Sequence, residues 1–458
     1  MEDMKNGKLS SFSGKLGYVL AAAGASVGLG NIWRFPYLAA KYGGGIFLII
    51  YIVLALTFGY TMIVAETAIG RMTRKSPVGA FKSFGKKKWL SFGGWINAVI
   101  PVLIVPYYSV IGGWVIKYLV EYFRGNAKLL AEDGYFTDFI SNGVSTELCF
   151  VAFCAFTLII IFAGVQNGIE RVSKIMMPIL IVLSVIIAVY SVTRPGALAG
   201  VKYFLVPNVK NFSWMTVVSA MGQMFYSLSI AMGILITFGS YMKKDTAIED
   251  STRNVEVFDT GIAIMAGLMI IPAVFAFSGG DPDTLQAGPS LMFITIPKVF
   301  QNMGFGTVIG IVFFLLVLFA AVTSSIALTE SAVSTFEDEL GWGRKKATVL
   351  VGVIMLVLGS LSSLGYGPLA GIKIIGMQFL DLFDFLTNSV MMPIAALLTS
   401  LLVSRVVGID KIEEEIIHGE SAFRRKKVFV VMIKYLCPVF AIIILLSSVA
   451  NALGWIKM

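Results

Sequence analysis

Charge is scarce in this chain. Only 14% of its 458 residues are Asp, Glu, Lys or Arg, against about 25% in an ordinary soluble domain. A sequence that is 57% hydrophobic cannot be covered in water without a larger polar shell. That excludes a cytoplasmic enzyme, a disordered chain and a nucleic-acid-binding module. The three cysteines, Cys149, Cys154 and Cys437, lie in apolar surroundings and are too few for a disulfide framework. The single histidine, His418, sits in a charged stretch, which excludes a His-rich metal site. No G-x-x-x-x-G-K-[ST] sequence occurs, so there is no phosphate cradle for ATP-driven pumping.

Long apolar runs are what the chain has in quantity. At about 20 residues per span there is room for ten to twelve transmembrane helices. Runs bounded by charge, Gly and Pro predict eleven, at roughly 14–40, 43–71, 90–123, 146–164, 170–193, 213–242, 254–280, 304–338, 344–361, 371–405 and 425–455. An odd number puts the termini on opposite sides. With the N-terminus inside, Lys and Arg outnumber those of the outer segments three to one, carried by Lys86–Lys88, Arg344–Lys346 and Arg424–Lys427 among others. The expected topology is N-terminus cytoplasmic and C-terminus outside, in the cell's inner (plasma) membrane. It also accounts for the net charge of +9 without a nucleic acid. Lys8 and Lys15 followed by LGYVLAAAGA also read as a signal peptide. The apolar stretch, however, runs on to Tyr37, so this segment is expected to be the first span.

Two spans carry features that a lipid-facing helix avoids. The first reads GASVGLGNIWRFP from Gly24 to Pro36, and the sixth reads GQMFYSLSIAMG from Gly222 to Gly233. Glycine lowers helix propensity by about 1 kcal/mol relative to alanine, so clustered glycines invite unwinding. Unwound backbone at membrane depth is tolerated only beside protein or a water-filled cavity. For the first span alone, close helix packing through Gly24 and Gly28 is an equal reading. The pairing decides between them. Interrupted helices one and six open two five-helix halves, the pattern of an inverted-repeat secondary transporter with a midplane site. The segments divide as 1–13 (a cytoplasmic N-terminus), 14–193 (first repeat), 213–405 (second, inverted repeat) and 425–455 (eleventh helix). Half-helix N-termini suit a carboxylate and freed carbonyls suit a small cation, which fits an amino acid carried with sodium.

The residues resemble the neurotransmitter:sodium symporter family. GASVGLGNIWRFPYLAAKYGGG (Gly24–Gly45) looks like its first-helix signature. AETAIGR (Ala65–Arg71), Tyr107–Tyr108, GQMFYSLS (Gly222–Ser229), AAVTSSIAL (Ala320–Leu328) and FEDEL (Phe336–Leu340) follow in the family's order. Within the family the chain is similar to the bacterial eleven-helix carriers of multiple hydrophobic amino acids. The resemblance implies an all-α integral membrane protein with eleven transmembrane helices and a 5+5 inverted repeat of the leucine-transporter type. It also implies no enzyme activity and sodium-coupled uptake of aromatic and branched aliphatic L-amino acids by alternating access.

Carried over by motif, a second sodium site falls on the carbonyls of Gly24, Val27 and Ala320 with the hydroxyls of Thr323 and Ser324. A first falls on the Ser26 carbonyl, Asn31, Ser227 and Asp259, completed by the substrate carboxylate, so that ion and substrate raise each other's affinity. The substrate pocket implied is Ser26, Gly28, Leu29, Gly30, Ile104, Tyr108, Tyr226, Ser227, Ser229, Met232, Ser324 and Leu328. Tyr226 and Met232 stand where the leucine transporter has Phe, and the adaptable Met suits mixed side chains. Arg34 and Asp384 match the outer gate, and Asp338 the acid of the inner gate, with Lys8 its candidate partner. Gly168 and Pro178 match the pair that lets helix five unwind. Ala263 replaces the chloride-ligating Ser, so the resemblance implies that two sodium ions are used without chloride.

Other motifs lead elsewhere or nowhere. Gly24-Ala25-Ser26-Val27-Gly28 satisfies G-x-S-x-G, but a nucleophile elbow needs a histidine that only His418 could supply. Glu66, buried in the second span, reads as a hydrogen-bond hub for broken helix six or as a functional acid. A channel or substrate-sensing receptor on the same scaffold is the alternative to a carrier. Concentrative uptake that stops when the sodium gradient collapses separates the two.

Overall fold

The computed structural model describes residues 11–279, 288–452 and 455. Helices dominate the described residues, with only two isolated β-bridges among them, Gly44 to Pro207 and Ile374 to Met377. Among the described residues, nine continuous helices are long and apolar enough to cross a membrane, with mean hydropathy from 1.9 to 2.7. They are Gly45–Thr73, Lys88–Phe123, Gly143–Phe162, Val165–Val192, Ile248–Ser278, Gly306–Leu340, Arg344–Leu364, Phe379–Val407 and Lys426–Asn451. The first span is a pair, Lys15–Ser26 and Gly30–Lys41, bent by 53°. The sixth is also a pair, Trp214–Ser227 and Ile234–Ser240. Among the described residues this arrangement is compatible with eleven spans, which are numbered in chain order below.

Burial separates core helices from peripheral ones. In the apolar stretches of the third and eighth spans, 78% and 72% of residues are buried inside the protein, against 33% in the fifth and eleventh. Buried polar residues collect on the inner helices, where Asn31, Glu66, Thr67, Asp259 and Ser325 are wholly enclosed. A polar group at that depth is stable only when hydrogen-bonded. The interior is therefore organised around polar pairings as well as packing.

The two breaks have local causes. Ser26 ends the first half-helix and Val27 turns to extended backbone (φ −75°, ψ 93°), leaving carbonyls without helical partners. In the sixth span, Ser213 and Thr216 form a reciprocal cap at the start. Ser229 (φ 52°), Ala231 (φ 58°) and Gly233 (φ 70°) then wind the chain left-handed between the halves. Two non-glycine residues in that region cost of order 1–3 kcal/mol each, so neighbours must hold them there.

Several boundaries differ from the sequence expectation. The tenth span starts at Phe379 and not near 371. Ile375 (φ 54°) and Gly376 (φ 77°) turn the preceding chain, and the Ile374–Met377 bridge closes it. The fifth starts at Val165, not 170, directly after the turn at Gly164. Connecting segments carry helices of their own, including Pro77–Lys82, Ala197–Leu205, Leu291–Gln301 and Ile409–Ile417.

Candidate functional site

A cavity lies between the two breaks. Its walls come from the first span (Ala25, Ser26, Gly28, Leu29, Gly30), the third (Ile104, Tyr108), the sixth (Tyr226, Ser229, Met232) and the eighth (Ser324, Leu328). Glycine is required where the walls close in. A Cβ on Gly28 would fall 2.7 Å from Ser324 Oγ and 3.0 Å from the Tyr108 hydroxyl oxygen, and one on Gly30 would fall 2.3 Å from the Tyr226 ring.

Hydrogen bonds stitch the breaks together. Ser229 Oγ donates to the Ala25 carbonyl at 2.9 Å. Ser26 Oγ lies 3.1 Å from the Ala22 carbonyl and 3.3 Å from that of Leu228. The Leu29 N–H donates to the Tyr108 hydroxyl at 3.3 Å. Glu66 reaches across from the second span to accept the Ala231 N–H at 2.7 Å, inside the turn of the sixth helix.

Two clusters of oxygen atoms flank the cavity. On one side, Ser324 Oγ lies 3.2 Å from the Gly24 carbonyl and 3.4 Å from that of Val27. Beside it, Thr323 Oγ1 lies 3.2 Å from the Ala320 carbonyl. These oxygens join the first break to the eighth span and form a donor set suited to a hard cation. On the other side, Asn31, Ser227 and Asp259 meet in a fully buried knot. Asn31 Nδ2 donates to Asp259 Oδ1 at 2.8 Å and contacts Ser227 Oγ at 2.9 Å. Ser227 Oγ lies 2.9 Å from Asp259 Oδ1. Asp259 has no basic side chain within ion-pair distance among the described residues. A dry carboxylate with hydrogen-bond donors but no cation nearby is a fitting seat for a monovalent metal ion.

Ser227 does not line the cavity, because its hydroxyl turns to Asp259. Ala25 stands there in addition to the residues named from sequence. Two further contributors were missed. Tyr51 donates to Asp259 Oδ2 at 3.0 Å, and Gln223 Nε2 donates to the Gly30 carbonyl at 3.0 Å. The one signal for Tyr51 is a phenol alone in the apolar run GIFLIIYIVL.

The charged pair expected at one mouth is not closed in this structure. Arg34 lies over the Tyr226 ring, 5.2 Å from its centroid. Asp384 instead accepts from Asn388 Nδ2 at 2.6 Å and from the Tyr107 hydroxyl at 3.2 Å. At the opposite mouth, Asp338 Oδ2 accepts from the Ser76 N–H (3.0 Å) and hydroxyl (2.8 Å). Lys8 lies outside the described residues. Gly168 and Pro178 belong to a fifth span that is wound along its length, opening with a π-helical turn at Val165–Glu170. A Cβ on Gly168 would fall 2.1 Å from the Ile160 carbonyl, so glycine there allows close contact with the fourth span.

Broken helices around a cavity, with clusters of polar oxygens beside it, are the pattern of a secondary transporter. Comparison with known proteins places it further. The model of the sodium:neurotransmitter symporter family matches residues 10–137 and 121–455, and the chain belongs to that family of sodium-dependent transporters, which are not enzymes. It is 34% identical over 450 residues to the uncharacterized sodium-dependent transporter YhdH of Bacillus subtilis, spanning 97% of this chain and 99% of that one. It is 26% identical over 470 residues to the human sodium- and chloride-dependent GABA transporter 2, spanning 88% and 74%. The crystal structure of MhsT in complex with L-phenylalanine superposes with a TM-score of 0.85 at 34% identity, spanning 96% and 99%. The fold is therefore the inverted 5+5 repeat of the leucine-transporter type.

Proposed function

We propose that this protein takes up hydrophobic L-amino acids, aromatic and branched aliphatic, together with two sodium ions and without chloride. One ion is held by Asn31, Ser227, Asp259 and the Ser26 carbonyl with the substrate carboxylate. The other is held by Gly24, Val27, Ala320, Thr323 and Ser324. The observation that carries the reading is Asp259, a buried carboxylate with no basic partner among the described residues, placed beside the cavity between the two breaks. A cation there has its counter-charge built in, and chloride has no charge left to supply. The phenylalanine bound by MhsT supports the substrate class.

Freed N–H groups of the first break and the Tyr108 hydroxyl face the carboxylate, while freed carbonyls of both breaks face the ammonium. Met232, Leu328 and Ile104 receive the side chain. Tyr108 and Tyr226 form the lid under Arg34 and Asp384, and Asp338 guards the opposite mouth. The basic excess on the Asp338 side supports a cytoplasmic N-terminus, an outer C-terminus and residence in the inner (plasma) membrane. Gly168 and Pro178 are the weak point through which the fifth span opens from inside.

The test is uptake into sealed proteoliposomes with an inward sodium gradient and a labelled amino-acid panel. Concentrative uptake of leucine, phenylalanine and tryptophan, lost when the gradient collapses, is expected. Uptake that only equilibrates would favour a channel.

A further inference from the structure

The chain between the tenth and eleventh spans is fastened to helices far from it in sequence. At the end of the second span, the Arg71 side chain is wholly buried. Its Nε donates to Glu415 Oε1 at 2.7 Å, and its two terminal nitrogens donate to the carbonyls of Thr246 and Glu415. Lys244 Nζ completes the cluster, at 2.8 and 2.6 Å from the two Glu415 oxygens. Further along, Glu249 accepts the backbone N–H groups of Arg424 (2.8 Å) and Arg425 (2.9 Å) and the Tyr60 hydroxyl (2.9 Å). The Arg425 guanidinium lies over the Tyr60 ring and reaches Glu256 at 3.2 Å. Glu420 accepts the Glu249 N–H at 2.5 Å, capping the start of the seventh span.

These partners come from the second span, the start of the seventh, and the connector 241–247 that follows the broken sixth helix. The second half of that helix, Ile234–Ser240, is itself locked to the second span. A Cβ on Gly70 would fall 2.0 Å from the Ile236 carbonyl oxygen, and one on Gly239 would fall 2.5 Å from that of Thr67. Arg74 donates to the Ser240 carbonyl at 2.9 Å. Backbones this close do not slide past one another.

We infer that Arg71 is a positioning residue for transport. With Glu415 it fastens the loop 408–425 to the connector, so that this loop, the second span and the second half of the sixth move as one body. Separating Arg71 from Glu415 would leave the wholly buried guanidinium without its carboxylate, while Glu415 kept only the half-exposed Lys244. The pair therefore holds through the cycle, and movement falls on the unwound turn 228–233, whose Ser229 and Met232 line the cavity. Arginine suits the task because its planar fork serves a carboxylate and two carbonyls at once, which lysine cannot do.

The inference rests on the proposed transport cycle, and the test keeps the two apart. Hydrogen exchange is followed in the full-length wild type in potassium, in sodium, and in sodium with leucine. Segments 241–250 and 409–425 are expected to change protection together and in the same direction. In Glu415→Gln both segments should exchange about tenfold faster and turnover should fall about tenfold, with sodium-dependent leucine binding within about threefold of wild type. Arg71→Lys should fall between. Segments that respond independently in the wild type, or leucine binding lost in step with turnover, would overturn the inference. If the amino-acid reading alone is wrong, leucine fails to bind the wild type while the sodium response of the two segments stays joined.

Discussion

The Glu66 carboxylate accepts the Ala231 backbone N–H at 2.7 Å, inside the left-handed turn that separates the halves of the sixth helix. A carboxylate on one helix thus holds the backbone of another in a conformation it would otherwise leave. Ser229 and Met232, either side of Ala231, line the cavity, so the hold extends to the ligand.

Glu66→Ala should orphan that buried N–H at a cost of about 1–3 kcal/mol. If the cost falls on the bound state, sodium-dependent amino-acid binding weakens by about 5- to 150-fold. Glu66→Gln keeps an acceptor and should lose much less. Equal losses in an equilibrium binding assay would place the effect in the charge and not in the hydrogen bond.

The chloride question turns on Asp259 and Ala263, one helical turn apart in the seventh span and both fully buried. Wild-type uptake should be indifferent to replacing chloride with gluconate. Asp259→Asn should weaken sodium activation by about tenfold or more, equivalent to at least ~1.4 kcal/mol. Adding Ala263→Ser should make that variant respond to chloride. A wild type that demands chloride would end this explanation.

Met232 faces the cavity with Leu328. Its unbranched side chain can fold around ligands of different shape, whereas a phenyl ring cannot. Met232→Phe should therefore penalise tryptophan more than leucine in a competition assay. Equal penalties would remove Met232 from the side-chain subsite.

Pro178 interrupts the fifth span without unwinding it. A mid-helix proline weakens its turn by ~3 kcal/mol, and repairing it should tie down a helix that has to open. Pro178→Ala should slow turnover by about tenfold, or ~1.4 kcal/mol of barrier, and leave sodium-dependent binding intact. Loss of binding alongside turnover would make the residue structural.

The breaks were legible because glycine and polar residues inside apolar runs have few stable solutions at membrane depth, and Gly24–Pro36 and Gly222–Gly233 both stand out on that ground. The cavity residues, Ala25 among them, sit within or beside recognisable motifs. Tyr51 was not legible: its partners Ser227 and Asp259 lie 176 and 208 residues away, and nothing in its own run marks its direction. Arg71 closes the AETAIGR motif, but its burial was not legible, because its partner Glu415 comes from a loop 344 residues on. The start of the tenth span was misplaced because Gly371 to Gln378 is apolar enough to continue a helix, while Ile375 and Gly376 adopt positive φ.

The measurement that bears most directly on the account is equilibrium binding of labelled leucine to the purified protein across a sodium titration, paired with sodium binding across a leucine titration. If Asp259, Asn31 and the substrate carboxylate share one ion, each ligand must raise the affinity of the other by the same factor. The account predicts matching factors, a sodium dependence steeper than one ion, and loss of the linkage in Asp259→Asn. Leucine binding that is independent of sodium, or linkage that survives in Asp259→Asn, would contradict it.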